Sequence, residues 1–502
     1  MSLLGIDVGT TGCKAAAFAP DGRALGSAYR EYPTLHPAPG LAELDSEVVW
    51  SAVREVIAAA AAAARDAGDP VAALSAGSMG EAVVPVTRGR QIAGRSILSS
   101  DTRGGELLEP LRRAYTPEAF YRINPNILGS NYTLPKLLWH RAHEPGLFDR
   151  ADHFLLWGDA VGFLLGGEAT ACHSLANRTL LFDLHRADWS DALLDLAGVP
   201  RGKLGRCVAA GTVTGRVAPE TARQLGLPAG TRIVAGGHDQ CCNALGAGIC
   251  AAGQAVCGLG SYACITPAFD RLPEPGPMLA RGLNTEHHVL PGLYVAFLYN
   301  QAGTLVRWFR DTFAAGERAA AGGSIYRALD DEMPEAPTRL LALPYFEMTG
   351  PPGFTADASG VIAGLKTGTT RGDIFKCILE SIAFYFVDSL ADLRELGVDA
   401  SSFTATGGGA RSDKWLQIMA DIFGVPFSRP RITEAGVLGA AILAGLGTGV
   451  FATAREGVEQ FVEHDRVFEP DAGRHAVYAG RMALYRQLFP AMRELLRQLG
   501  RD

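Results

Sequence analysis

The stretch Ile233-Val-Ala-Gly-Gly-His-Asp-Gln-Cys-Cys-Asn-Ala-Leu-Gly-Ala-Gly248 lies near the middle of the 502-residue chain and joins two kinds of secondary structure. Its apolar beginning predicts a buried strand that ends at two glycines, and the apolar residues from Ala244 onward predict a helix. Asp239 therefore lies at a strand-to-helix corner. A carboxylate there faces a cleft near a helix N-terminus, where the dipole favours its ionised form and where it can accept a proton. We predict that Asp239 is a general base, the alternative being a simple helix cap.

The length and composition of the chain favour a two-domain globular protein. A chain of 502 residues, with 60 glycines and 48% hydrophobic residues, exceeds what one core usually fills. Its net charge of -7 comes from intermixed signs without a basic run, so we expect neither nucleic acid nor membrane as a partner. The N-terminus has no basic segment before an apolar one, and Val437 to Leu446 is shorter than the roughly 18 residues of a membrane span. We therefore expect a cytoplasmic protein.

The nine cysteines do not indicate a metal or disulfide framework. Their number is odd, they are scattered, and no Cys-x-x-Cys pair occurs. We expect free, mostly buried thiols.

The N-terminal segment Leu3 to Gly22 predicts a β-hairpin that binds phosphate. Its turn, Gly9-Thr10-Thr11-Gly12, directs backbone N–H groups and two hydroxyls at one point, which suits an anion. The Walker pattern Gly-x-x-x-x-Gly-Lys-Ser/Thr is absent. Asp7 precedes the turn, where its charge would repel a phosphate unless a magnesium ion lay between them.

Two further strands lead to substrate candidates. A helix is predicted from about Glu47 to Ala67, followed by strands at 72–77 and 96–98. Loops that leave the carboxyl ends of strands form the ligand crevice of an open α/β sheet. Glu81, Asp101 and Arg103 lie in such loops and are substrate candidates, with solvated surface charges as the alternative.

The segment Ala255 to Asp270 repeats the plan of the first hairpin about 250 residues later. In both segments an apolar strand, a Gly-rich turn and a second apolar strand lead to a turn with Pro and Asp. The repeat predicts two related domains, 1–247 and 248–502, that face each other across a cleft with one phosphate-binding hairpin each.

The C-terminal half adds a glycine turn suited to a flat ring. A helix at 302–311 is followed by a predicted Gly- and Ala-rich loop to about Thr338. The triple glycine 407–409 follows a predicted strand and precedes a predicted helix at 413–423, and its bare backbone would let an adenine lie on it. The Gly/Ala-rich helix after Glu434 is expected to approach that turn.

In this order, the segments resemble the FGGY family of carbohydrate kinases essentially from end to end. The most specific motifs are Gly5-Ile-Asp-Val-Gly-Thr-Thr11, Ala235-Gly-Gly-His-Asp-Gln240, Gly407-Gly-Gly-Ala-Arg-Ser412, Ala420-Asp-Ile-Phe-Gly-Val-Pro426 and Glu434-Ala-Gly-Val-Leu-Gly-Ala440. The resemblance implies an α/β fold of two duplicated ribonuclease-H-like domains, as in actin and hexokinase, with ATP and a sugar meeting in the interdomain cleft.

The resemblance also assigns roles to residues of this chain. It implies that Asp239 is the catalytic base and that Asp7 is associated with Mg²⁺. The implied nucleotide-binding residues are Thr10, Thr11, Lys14, Gly260, Ser261, Gly303, Gly408, Gly409 and Ser412. The implied sugar-binding residues are Ser78, Met79, Glu81, Asp101 and Asp239.

Departures from the family pattern concern mainly the substrate. Gly80 and Ser99 stand where relatives place a histidine and a tryptophan, which predicts a wider pocket unless another side chain fills it. Leu259 replaces a common threonine of the second phosphate loop. We expect an ATP-dependent kinase that acts on a terminal hydroxyl of a small ketose or polyol, such as the pentulose xylulose or a hexulose, and that is possibly homodimeric. The alternative is a nucleotide-driven conformational switch of the actin or chaperone ATPase type.

Overall fold

The protein is described from a computed structural model, which covers residues 1–317, 325–356, 359–431 and 434–499. Its helices are Ser46–Asp66, Glu109–Ala114, Pro117–Tyr121, Thr133–His143, Pro145–Arg150, Trp157–Leu165, His173–Ala176, Asp191–Ala197, Pro219–Leu225, Asp239–Gly246, Pro275–Ala280, Gly303–Phe313, Ile325–Glu332, Arg371–Glu395, Asp413–Phe423, Ala435–Thr448, Ala454–Phe461 and Ala472–Leu499.

Two large open sheets organise these helices. The first sheet contains, in spatial order, Val213–Arg216, Arg232–His238, Val71–Ser78, Ser2–Val8, Gly12–Phe18 and Ala24–Glu31. The second contains Glu286–His287, Tyr294–Val295, Tyr262–Phe269, Gln254–Leu259, Ser402–Thr406, Phe427–Pro430 and His464–Phe468, with Leu298–Gln301 also paired to Tyr262–Phe269. Five two-stranded pairs complete the described strands: Glu43–Leu44 with Ser96–Ile97, Val83–Val86 with His153–Leu156, Thr170–Cys172 with Arg206–Val208, Phe182–Asp183 with Asp188–Trp189, and Leu341–Leu343 with Val361–Ala363.

The two sheets share one topology. In each, an antiparallel hairpin is extended by a third antiparallel strand on one side and by two parallel strands on the other. The two parallel strands are Val71–Ser78 and Arg232–His238 in the first sheet, and Ser402–Thr406 and Phe427–Pro430 in the second. The predicted duplicated ribonuclease-H-like α/β fold is therefore confirmed.

The alanine-rich helix Ser46–Asp66 packs closely on the first sheet. Asp45 caps it by accepting from the main-chain N–H groups of Glu47 and Val48. A methyl group added at Gly26 would overlap the side chain of Ala63, so only small residues permit this approach. The loop predicted to run to Thr338 contains the helix Ile325–Glu332, whereas 318–324 lie outside the described residues.

The Gly/Ala-rich helix Ala435–Thr448 packs on the first sheet and not on the triple-glycine turn, contrary to expectation. A methyl group at Gly5, in the strand Ser2–Val8, would overlap the carbonyl oxygen of Val437 and come within 3.0 Å of the nitrogen of Ala441. The helix also crosses Asp239–Gly246 at backbone contact. Glycines allow the helix to lie this close, because backbone-to-backbone packing against a strand leaves no room for side chains.

No helix within the described ranges is long and apolar enough to cross a membrane. All nine cysteines are free thiols.

Candidate active site

Asp239 is the first residue of the helix Asp239–Gly246 and directly follows the strand Arg232–His238. The N-cap position belongs to His238, so Asp239 is not the capping residue. Burial, together with the nearby negative charges of Asp7 and Glu81, raises the pKa of Asp239 to about 8. The expectation that the helix dipole keeps this carboxylate ionised is wrong, because desolvation outweighs it. A carboxylate with this pKa is a strong proton acceptor once ionised.

Asp7 lies near the end of the strand Ser2–Val8 and carries a buried oxygen without a partner. Its Oδ1 accepts no hydrogen bond, and Gly436 lies so close that a methyl group there would be 3.0 Å from Oδ2. Burial raises the pKa of Asp7 to about 6, with Glu434 adding to the shift and Lys14 opposing it. A buried orphan carboxylate oxygen fits a hard cation such as Mg²⁺.

No cluster of three His, Cys, Asp or Glu side chains that could hold a metal occurs among the described residues. A Mg²⁺ ion that relied on Asp7 would complete its shell with water and substrate phosphates, as Mg²⁺ commonly does.

The turn of the first hairpin has the predicted form. The N–H of Gly9 donates to the carbonyl of Gly12 at 2.9 Å, and Thr10 and Thr11 are exposed at the tip. The Lys14 ammonium lies 2.6 Å from Glu434 Oε2 at the start of the helix Ala435–Thr448. Lys14 must exchange this carboxylate for phosphate if it is to bind a nucleotide.

The turn of the second hairpin is joined to the helix Gly303–Phe313. The N–H of Gly303 donates to the carbonyl of Gly260 at 3.0 Å, and a methyl group at Gly303 would be only 2.5 Å from that oxygen. Arg307 donates to Ser261 Oγ at 3.1 Å. A cation and a helix N-terminus therefore meet at this turn, an arrangement that favours an anion.

The triple-glycine turn lies directly against the second hairpin. A methyl group at Gly407 would be 2.9 Å from the carbonyl oxygen of Leu259, and one at Gly409 would be 2.8 Å from the Leu259 side chain. Apart from neighbouring residues of the same turn, no atom of the described chain lies within 4 Å of the methyl position at Gly408, so that backbone is open. Ser412 caps the helix Asp413–Phe423 and donates to Asp330 at 2.7 Å.

Ser78 and Met79 lie at the end of the strand Val71–Ser78, but neither offers a free polar group. The hydroxyl of Ser78 is buried, donates to the carbonyl of Met79 at 3.0 Å and accepts from the N–H of Gly158 at 2.8 Å. Met79 is 5% exposed. Both side chains are therefore buried beneath the loop and support its conformation.

Asp101 is fully buried and its two oxygens are occupied. Arg103 donates to both through its side chain, and the N–H of Ala42 donates to Oδ2 at 2.7 Å. Burial alone would raise the pKa of Asp101, but these hydrogen bonds outweigh it and hold the pKa below its ordinary value. Arg103 also pairs with Glu43 at 2.8 Å and lies over the ring of Trp139. Asp101 has no oxygen left for a sugar in this arrangement.

Glu81 belongs to a buried ionic network that sequence reasoning missed. Arg178 donates through Nε to Glu81 Oε1 at 2.8 Å and through Nη1 to Glu286 Oε1 at 2.6 Å. Asn284 donates to the same Glu286 oxygen at 2.9 Å, and the guanidinium lies 5.0 Å from the ring centroid of Tyr132. Arg178 thus pairs with Glu81 from the first half of the chain and with Glu286 from the second. This network lies next to Asp239.

The space beside Gly80 is filled. A methyl group there would be 3.0 Å from His238 Nε2 and 3.1 Å from two atoms of Arg178. The pocket is therefore not widened at this position, because side chains from distant parts of the sequence fill the space, which was the exception attached to the prediction.

Comparison with known proteins decides the family. The family sequence model for the N-terminal domain of the FGGY family of carbohydrate kinases matches residues 2–246. The family sequence model for the C-terminal domain matches residues 272–448. The chain belongs to the FGGY family of carbohydrate kinases. It is accordingly an ATP-dependent sugar kinase.

Xylulose kinases and autoinducer-2 kinases are among the proteins similar to this FGGY kinase. It is 27% identical over 98% of its length to xylulose kinase of Bacillus subtilis, of which 97% is covered. It is 30% identical over 95% of its length to autoinducer-2 kinase of Yersinia enterocolitica, of which 92% is covered. The crystal structure of xylulose kinase from Rhodospirillum rubrum superposes with a TM-score of 0.89 at 27% identity, covering 99% of this chain and all of that one.

Sequence reasoning did not assign roles to Arg178, Glu286 or His238 in this kinase. Arg178 and Glu286 are 108 positions apart, so no local spacing links them. His238 was visible as the residue before Asp239, which is the signal that could have drawn attention to it.

Proposed function

We propose that this kinase transfers the γ-phosphoryl group of ATP to a terminal hydroxyl of a small neutral ketose or polyol, a pentulose or hexulose such as xylulose. The observation that carries the proposal is the corner carboxylate Asp239, whose pKa is raised to about 8 by burial and by the charges of Asp7 and Glu81. The names of the xylulose kinase relatives support the substrate class.

In the proposed reaction Asp239 takes the proton of the sugar hydroxyl. The oxygen forms a bond to the γ-phosphorus while the bond between that phosphorus and the bridging oxygen of ADP breaks. The transition state is loose, so the protein mainly aligns the groups and neutralises charge. The exposed hydroxyls of Thr10 and Thr11, with Gly260, Ser261 and Lys14, hold the phosphates in this proposal.

The adenosine would lie on the second half of the chain, against Gly303, Gly408, Gly409 and Ser412. The open backbone at Gly408 supports this placement, since a flat ring can lie on it without meeting a side chain. Asp7 would hold Mg²⁺, which neutralises phosphate charge when bound.

The charges near Asp239 favour a neutral sugar over an acidic one. Asp7, Glu81 and Glu286 add negative charge around it, and the one guanidinium of Arg178 already pairs with two of these carboxylates. A sugar carboxylate would meet like charges there, while the Arg178 guanidinium is already paired. Glu81 is proposed to accept a sugar hydroxyl through Oε2, and Ser78, Met79 and Asp101 to shape the pocket from behind.

A coupled assay for ADP release tests the proposal. The panel is xylulose, ribulose, fuculose, rhamnulose, autoinducer-2, erythritol, glycerol and gluconate, and the matched control is Asp239→Asn, which keeps the size of the side chain. We expect a neutral five- or six-carbon ketose to give the highest kcat/KM and glycerol and gluconate to rank last. A preference for gluconate would refute the charge argument. ADP release that no sugar stimulates would favour the nucleotide-driven switch.

The remaining expectations stay proposals as well. We propose a domain boundary near 247, a cytoplasmic location and a homodimer, the last of which sedimentation velocity would test.

A further inference from the structure

His238 is held rigidly beside Asp239 at the end of the strand Arg232–His238. Its ring packs against Phe297 with centroids 5.4 Å apart and planes at 86°. On another side a methyl group at Gly80 would be 3.0 Å from Nε2, so the ring packs closely against this glycine. Its main-chain N–H donates to Ser174 Oγ at 3.0 Å, and the residue is 6% exposed. The imidazole therefore cannot turn away from the corner without displacing its neighbours.

The two ring nitrogens of His238 face two carboxylates. Nε2 lies 3.3 Å from Asp239 Oδ1, and Nδ1 lies 3.9 Å from Glu286 Oε2. Both Nδ1 and Oε2 are buried, and neither has a hydrogen-bond partner in the described part of the chain. Two buried, unpaired polar atoms that face each other are costly unless another state of the protein joins them.

Hydrogen bonds hold the Glu286 carboxylate through Oε1 and leave Oε2 without a partner among the described residues. Arg178 and Asn284 both donate to Oε1 and so hold the carboxylate in place. Glu286 lies on a strand of the second sheet, whereas His238 lies on the first. A movement of about 1 Å between the two sheets would bring Nδ1 and Oε2 to hydrogen-bond distance. Closure of two lobes around substrate provides movements of this kind.

We propose that His238 is a positioning residue for Asp239 and that Glu286 sets its tautomer when the lobes close. With Nδ1–H donating to Glu286 Oε2, Nε2 is left as an acceptor that faces Asp239 Oδ1. When Asp239 takes the sugar proton, the new O–H donates a hydrogen bond to Nε2. The sugar O–H bond breaks and the Asp239 O–H bond forms, and His238 gains no proton. The inference rests on the proposed role of Asp239 as the base.

Substitution of His238 by two amides separates positioning from packing. Glutamine can place its amide near the position of Nε2, whereas asparagine reaches only the position of Nδ1. We expect H238A and H238N to lower kcat at least tenfold, and H238Q to recover most of the loss. The KM for MgATP should stay within twofold, because no proposed nucleotide contact changes. His287→Gln is the matched control, since His287 contacts the carbonyl of Leu184 and not Asp239, and it should leave kcat unchanged.

A second pair of variants tests the link to Glu286. Glu286→Gln should lower kcat in the wild-type background but add nothing to H238A, because the two residues act through one hydrogen bond. Thermal unfolding and ADP binding show whether each variant is folded. If H238A does not fold, H238Q and H238N decide the question between them.

Several results would overturn the inference. They are an H238A kcat within twofold of wild type, equal losses in H238Q and H238N, or additive losses for Glu286→Gln and H238A. Asp239→Asn distinguishes this failure from that of the proposed function. If Asp239→Asn remains active, the base assignment itself fails, and if it is inactive while H238A is unimpaired, only the positioning role falls.

Discussion

Raising the pH should activate the enzyme through Asp239. A base works in its ionised form, and the pKa of this carboxyl is raised to about 8 by burial and by its negative neighbours. With that pKa about 1% of the free enzyme is ionised at pH 6 and about 90% at pH 9. The structure therefore predicts a rise of about 90-fold in kcat/KM over this range, with a slope of one decade per pH unit at the acid end.

The assay measures kcat/KM for the best sugar at MgATP concentrations well below its KM, so that the free enzyme is observed. Asp7, whose pKa is about 6, titrates at the acid end of the same range. Asp239→Asn isolates the contribution of the base, and it should lower kcat at least about 100-fold and remove the inflection near pH 8. A profile that changes less than threefold between pH 6 and 9, or a variant that keeps more than about a tenth of kcat, would refute the assignment.

The raised pKa of Asp239 also affects the stability of the fold. Stability should fall as the pH rises, whereas activity should increase. The folded-state pKa of Asp239 lies above the ordinary value of 3.8, so between these values the folded protein binds a proton that the unfolded chain lacks. The stabilising contribution of this group is complete below about pH 4 and is lost as the pH rises through about 8. Asp239→Asn should weaken the fall of Tm across that range, and equal Tm slopes for the two proteins would count against a raised pKa.

Three further predictions concern the metal, the sheet and the buried loop. Asp7→Ala should shift the Mg²⁺ dependence of turnover at least about tenfold toward higher concentration, because a coordinating oxygen is lost; superimposable titrations would exclude Asp7. Gly5→Ala should lower the free energy of unfolding by about 1 to 3 kcal/mol, since its methyl group overlaps the backbone of Val437, whereas Gly146→Ala, with open space around it, should not. Asp101→Asn should lower Tm more than it changes the KM for sugar, because Arg103 loses one of its two carboxylate partners; a raised KM at unchanged Tm would instead support direct sugar binding by Asp101.

The sequence was informative where the structure depends on local pattern. Two strands joined by a glycine turn recur about 250 residues apart, and this repeat predicted two related domains. The structure shows the relation as two sheets of one topology. The corner at Asp239 was predicted for the same reason, since a short apolar run that ends at glycines has few alternatives.

No local pattern in the sequence predicts where side chains from distant segments pack together. Gly80 suggested an empty volume, but His238 and Arg178 fill it from 158 and 98 positions further along the chain. The direction of the pKa shift of Asp239 was also misjudged, because burial depends on the packing of the whole cleft while the helix dipole can be inferred locally.

The helix Ala435–Thr448 also determines the order in which the protein can fold during synthesis. The first sheet has all its strands once His238 has been made, but one face of it is covered by a helix that follows roughly 200 residues later. At typical rates of synthesis, the helix would be made about 10 to 40 s after His238. During this time an apolar surface that includes Leu3, Phe18 and Ala73 would lack its final partner. The first half of the chain is thus a candidate for chaperone binding until the second half is nearly complete.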